Sequence, residues 1–153
     1  MAAISGSLYK LQTSTDGGTT YIPVVLQTNC SIDITTSERT IITKDNCNWQ
    51  DGVPTMSNYT VSGEALLDNT GHSFDALLAM VNTTFLWKLT PIDCDGVEVT
   101  GESEYSGSGY LTSLGLGAPD KDSATTSITI NGTGELTTAP VPVVAAATKK
   151  AEK

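Results

Sequence analysis

Residues 101–136 read GESEYSGSGYLTSLGLGAPDKDSATTSITINGTGEL, two alternating strands set around a polar Ala118-Pro119-Asp120-Lys121-Asp122 connection. Strict alternation means that one face is buried and the other is wet. On the second strand Ile128, Ile130, Gly132, Gly134 and Leu136 fall on one side, and Thr129, Asn131, Thr133 and Glu135 on the other. Asn131-Gly132 has the composition of a hairpin turn, but alternation runs through it unbroken and predicts one long strand with a bend. A surface of this kind is structural, and it carries no catalytic constellation.

Working outward, Ser7–Ser14 and Tyr21–Gln27 predict two strands joined through Thr15-Asp16-Gly17-Gly18, where glycine supplies the positive φ of a tight turn. Residues 29–43 continue as a long alternating strand, with Ile32 and Ile34 opposed to Asp33, Thr35, Ser37 and Arg39. That length predicts a strand reaching beyond one compact core. Residues 44–58, KDNCNWQDGVPTMSN, break the periodicity and gather Asp, Asn, Gly and Pro, which predicts a long loop. Loops of that length usually carry function. Trp49, Val53 and Met56 either park against the core or serve as anchors on a neighbouring subunit.

Residues 73–82 predict one short helix. Phe74, Leu77, Leu78 and Val81 stand at helical spacing, Ser73 is a candidate N-cap and Asp75 favours the dipole. So short a helix holds only by burying its apolar stripe on the sheet, at about 1.5–3 kcal/mol per large side chain. Phe74, Leu77 and Leu78 are further candidates for a subunit interface. Residues 83–93 read as a buried strand, with Asp93-Cys94-Asp95-Gly96 turning into a short strand at 97–101. The fold class expected is mainly β, a sandwich or partial barrel with one short helix. It is one domain over 1–138, followed by a Pro/Ala/Lys arm over 139–153.

Composition narrows the function. The chain has 153 residues, 39% hydrophobic and only 16% charged, with a net charge of −9. Residues 1–148 hold five basic residues against sixteen acidic ones. Such a surface repels phosphate, so nucleic-acid binding through a basic patch is excluded. Cys30, Cys47 and Cys94 are odd in number and form no disulfide framework. The first ten residues lack the charged and apolar regions of a secretion signal, and no apolar run reaches a membrane span. These features predict a protein assembled in a reducing cytosol.

Catalytic and metal readings fail on spacing. His72 has no nucleophile motif to serve, and Cys30, Cys47, His72 and Cys94 follow one another at intervals of 17, 25 and 22 residues, which match no zinc pattern. The cysteines read instead as small buried hydrophobes. Asp93/Asp95 and Asp45/Asp51 lack the full ligand series of a calcium loop. No enzyme activity, cofactor or metal is expected. What remains is the wet faces, small hydroxyls interrupted by Asp33, Arg39, Glu64, Glu102, Glu104 and Glu135. These are ordinary solvent-exposed positions or the lining of a channel.

In order and spacing, the Gly-Tyr-Leu-Thr-Ser-Leu strand at 109–114, the Ala118-Pro119-Asp120 turn and the strand at 127–136 resemble the C-terminal half of major tail tube proteins of long-tailed bacteriophages. Trp49, the strand 59–67, the helix at 73–82 and the Phe-Leu-Trp-Lys-Leu strand at 85–89 extend the likeness over most of residues 5–138. The resemblance implies hexameric rings whose strands close one inner β-barrel, stacked into a conduit for genome DNA within the virion tail. Its acidic lumen would keep phosphate off the wall. It also implies assembly in the host cytoplasm and tail terminator, baseplate or distal-tail, and tape-measure partners. Two other readings fit similar strands: the tube of a contractile injection system, and an immunoglobulin-like decoration or adhesion module.

Overall fold

The structure, a computed structural model, describes residues 9–24, 26–42, 44, 49–67, 74–93 and 95–141. Seven strands and one helix follow in order: β1 Tyr9–Ser14, β2 Ile22–Pro23, β3 Gln27–Ile41, β4 Asp51–Leu66, α1 Phe74–Ala79, β5 Thr84–Pro91, β6 Ser103–Gly117 and β7 Thr125–Pro140. All strand pairs are antiparallel, in one sheet of order β2-β1-β5-β6-β7-β4-β3. The sheet curls back on itself without closing. A Cβ placed on Gly63 of β4 would lie 3.6 Å from Leu11 of β1, although three strands separate the two in the sheet order.

The Gln27 side chain fastens the two layers. Its Oε1 accepts from the Leu11 N–H at 2.8 Å, while Nε2 donates to the carbonyls of Leu11 at 2.6 Å and Val24 at 3.0 Å. The Leu11 N–H is satisfied this way, while its carbonyl also accepts from the Val24 N–H at 3.0 Å, which removes the penalty for burying these groups. Between the layers, Leu11, Tyr59, Val61, Phe85, Trp87, Leu111, Ile128 and Ile130 form one core. Each large side chain there contributes about 1.5–3 kcal/mol by leaving water.

Tyr59 is the pivot of this core. Its ring tilts against Trp87 at 5.6 Å between centroids, its hydroxyl donates to the Ser108 carbonyl at 2.8 Å, and burial raises its phenol above the ordinary range. The ring lies flat over Gly132, where any Cβ would collide with it. Gly132 is therefore required by close approach and not by a turn, and the chain runs through Asn131-Gly132 as one strand. The bend comes two residues later, where Gly134 takes φ 83° inside a bulge that sets Ser106 opposite Thr137 and Ser108 opposite Thr133.

Five sequence expectations change. Of the strand expected over Tyr21–Gln27 only Ile22–Pro23 forms, as β2 paired with β1, and Gln27 already opens β3. Residues 51–58, expected in the loop, are the first half of β4, because each finds a backbone partner on β3 or sits in the bulge opposite Thr36–Glu38. The described helix is shorter than 73–82: it ends at Ala79, and Asn82 at φ 66° with the Thr83 hydroxyl donating to the Met80 carbonyl turns the chain into β5. Val97–Gly101 is not a strand; one bridge, Ile92 to Glu98, is all that forms there. Residues 137–140 extend β7 along β6, so the start of the expected arm is sheet. Ser73, His72, Cys47, Cys94, Asp45 and residues 142–153 lie outside the described residues.

Candidate assembly and lumen surfaces

Adjacent strands β6, β7, β4 and β3 are the longest in the protein, and their register carries side chains across all four in rows. On the face away from the core one row runs Tyr110, Asn131, Thr60, Asp33. The next runs Ser113, Thr129, Ser62, Ser31, and the third Gly115, Ser127, Glu64, Asn29. The alternate residues, Ile128, Ile130 and Val61, point inward and are buried. Period-two alternation on four neighbouring strands thus makes a continuous sheet of hydroxyl, amide and glycine. Asn131 Nδ2 donates to the Tyr110 hydroxyl at 3.2 Å and ties the first row together.

Asp33 and Glu64 are the only charged residues in these rows. The other acidic wet positions are placed elsewhere. Glu104 lies beside Lys88 at 4.0 Å, and Lys88 is held at 2.6 Å by Glu98 and sits 4.8 Å above the Tyr21 ring. That cluster pins the 92–98 excursion and the β1–β2 turn to β5. Glu102 stands just before β6, its backbone carbonyl accepting from the Val141 N–H at 2.8 Å and its charge helping, after burial and Tyr105, to raise the Tyr9 phenol. Glu135 falls in the β7 bulge beside Gly134. Arg39 is on the exposed half of β3, opposite Val53.

That half of β3 and its partner form an arm. Residues 33–41 and 51–58 are exposed on both faces although the ladder between them continues to Ile41–Asp51. The Thr36 and Ser57 hydroxyls share a hydrogen bond at 3.0 Å, and Gln50 Nε2 donates to the Thr40 hydroxyl at 3.1 Å. Trp49, Met56 and Val53 are exposed there by 83%, 75% and 44%. On α1, Leu78 is exposed and Phe74 half-buried, whereas Leu77 is enclosed in the protomer's own core and has no surface to offer a partner.

The four-stranded unit has two free edges among the described residues. β3 pairs with β4 alone. β6 is flanked by β5 only as far as Tyr110, so Leu111–Gly117 has β7 on one side and no strand on the other. Sequence reasoning missed these edges, because alternation reports burial of a face and carries no signal for which strand ends beside which. It also missed Tyr110, although the Gly-Tyr-Leu pattern sets Tyr110 on the face opposite Leu111. Among the described residues no group of three potential metal ligands gathers anywhere.

Comparison with known proteins gives one sequence family, described as phage tail tube protein, which matches residues 3–138. Curated protein sequences give no match. Among solved structures, the fold is similar to a protein in the tail of an empty gene transfer agent particle refined with C6 symmetry, with TM-score 0.73 and 11% identity over 90% of this chain and 99% of that one. It is similar to the SPP1 tail tube, with TM-score 0.68 and 10% identity over 91% and 80%. It is also similar to a chain of the sheath–tube complex of the PVC extracellular contractile injection system, with TM-score 0.67 and 12% identity over 91% and 93%.

Proposed function

The chain belongs to the phage tail tube protein family, and we propose that six copies close a ring by pairing the free edge of β3 on one copy with the free edge of β6 on the next. The two edges at the ends of the four-stranded unit carry this reading. Four is an even number, so β3 of one copy and β6 of its neighbour run antiparallel when the unit is repeated about an axis, and the alternation continues round the ring. Closure removes both edges, which on an isolated chain invite open-ended pairing. A six-fold ring accords with the symmetry of the gene transfer agent tail.

With the core side of the sheet facing the rest of each protomer, the rows of Ser, Thr, Asn and Gly face the lumen. Apart from Tyr110 at the β6 end of the first row, such a wall is polar and offers DNA no cation to bind, and Asp33 and Glu64 repel phosphate, so transit proceeds without counterion-release binding. The tube is a part of the virion tail, assembled in the host cytoplasm and finished by terminator and baseplate or distal-tail proteins, with a tape-measure protein in its bore. The role is structural and needs no cofactor.

Blocking one edge tests the ring. Successive N–H groups of a strand point alternately to its two edges, so proline placed in turn at Thr35 and Thr36 removes a β4 bond in one variant and only a free-edge donor in the other. The variant that keeps the wild-type melting temperature is expected to stay monomeric by negative-stain electron microscopy, where the wild type shows hollow rings. Six-fold rings from that variant would overturn edge pairing. In assembled particles, Asp33→Lys with Glu64→Lys is expected to leave tubes intact and reduce the fraction that release their DNA; full release would remove these residues from the lumen.

A further inference from the structure

We infer that the apolar groove beneath β3 is the docking site of this chain's own C-terminal segment, residues 142–148, with Lys149 and Lys150 set against the acidic residues beside it. The groove is a cavity of about 420 Å³, with Tyr9 of β1, Tyr105 of β6 and Leu136 of β7 on one side and Cys30, Ile32 and Ile34 of β3 on the other. Those three β3 positions alternate along its core-side face, and packing gives out along them: Cys30 and Ile32 are half-buried, and Ile34 is 62% exposed. The Tyr9 and Tyr105 rings stand 6.4 Å apart between centroids and tilt by 39°. A recess of this size holds a few small side chains, and its lining is apolar surface that the body leaves in contact with water.

Where the body ends points to the occupant. The Tyr9 hydroxyl donates to the Ser103 carbonyl at 3.2 Å, and Ser103 pairs with Pro140. Val141 is buried and tied on both sides, its N–H donating to the Glu102 carbonyl at 2.8 Å and its carbonyl accepting from the Gly101 N–H at 3.3 Å. The chain therefore leaves the body at the Tyr9 end of the groove. Next come Pro142-Val143-Val144-Ala145-Ala146-Ala147-Thr148, small and uncharged, and then Lys149 and Lys150. Pro142 holds the residue before it extended. Seven extended residues reach at most about 25 Å, and aromatic-lined grooves accept proline-led extended segments at low entropic cost. Charge agrees with the pairing. Residues 142–153 carry three lysines against one glutamate, whereas residues 1–141 carry five basic residues against sixteen acidic ones. Burial, Tyr105 and then Glu102 raise the Tyr9 phenol, which puts Glu102 beside the groove, and Glu135 directly precedes Leu136. Neither glutamate makes an ion pair among the described residues.

Cys30 reports on the groove from within. In monomeric protein carrying Cys47→Ser and Cys94→Ser, Cys30 is the sole thiol. The chain ended after Val141 is then expected to react with dithionitrobenzoate about tenfold faster than the full chain, because labelling follows the fraction of molecules with the groove uncovered. A peptide of residues 140–153 added to the shortened chain is expected to slow labelling again. Equal rates for the two chains would overturn the proposal. A second measurement keeps the chain whole: with Val144→Cys in the same background, oxidation by diamide is expected to link the new thiol to Cys30 within one chain, read by mass spectrometry of the unreduced protein. Such a link requires the two backbones to approach within about 7 Å. Its absence would overturn the proposal. Links between chains, or protection of Cys30 that fades on dilution, would do the same by assigning the groove to a second copy. Both measurements use the monomer, so their outcome does not depend on ring closure.

Discussion

The two halves of the β3–β4 hairpin share one ladder and have opposite surroundings. From Gln27 to Ile32 and from Tyr59 to Leu66 the hairpin packs one face on the core; beyond Asp33 and before Asn58 both faces are open to water. The two tryptophans show the same contrast, Trp87 fully buried between the layers and Trp49 83% exposed at the arm. Backbone pairing and a few side-chain hydrogen bonds shape the outer half, while the inner half is held by packing. A two-stranded ribbon without a packed face is marginal by itself, so the arm's geometry leans on the body, and its apolar side chains Trp49, Val53 and Met56 stay exposed.

The contrast should show first in stability. Trp87→Ala is expected to destabilise the monomer by about 3–5 kcal/mol, lowering the denaturant midpoint sharply or abolishing folding, because a large cavity opens under Tyr59. A midpoint unchanged within error would mean that the two layers do not depend on their shared core. Gly132→Ala ranks next, at about 1–3 kcal/mol, since the new methyl must displace the Tyr59 ring. Near-UV circular dichroism would register that displacement, and an unaltered spectrum would place the ring elsewhere. Smallest is the arm itself: replacing residues 37–56 by Asn-Gly, which closes the Thr36–Ser57 pair with a two-residue turn, is expected to change stability by less than about 1 kcal/mol. Thermal unfolding measures it, and a loss comparable to that of Trp87→Ala would erase the distinction between the halves.

Much of this was legible in the strand patterns. The alternation of 127–136 gave the inward set Ile128 and Ile130 and the outward set Thr129 and Asn131, and it ran correctly through Asn131-Gly132. The length of residues 29–43 foretold a strand outreaching the core. The reading of 44–58 as loop failed over 51–58 because Gly52, Pro54 and Asn58 are turn residues by composition, yet a solvated edge ribbon has no buried face to demand hydrophobic alternation. Glu104 was placed among the wet residues without its partner, since nothing local brings Lys88 and Glu98 beside it. Leu77 and Leu78 are adjacent in sequence, and only the packing of α1 tells the core residue from the exposed one.

By itself the sequence determined a mainly β chain, a short helix, an acidic body and the wet or buried sense of the main strands, because these follow from periodicity and composition within a few residues. The tertiary structure alone decided that four long strands lie side by side, that Asp33 and Glu64 share a face while Glu104, opposite Ala139 near the start of β6, sits beside Lys88, and that β3 and β6 end the unit with open edges. Those facts depend on pairing between segments far apart in the chain, where register is set by bulges such as the one at Gly134 and by the layer packing that Tyr59 and Gly132 allow.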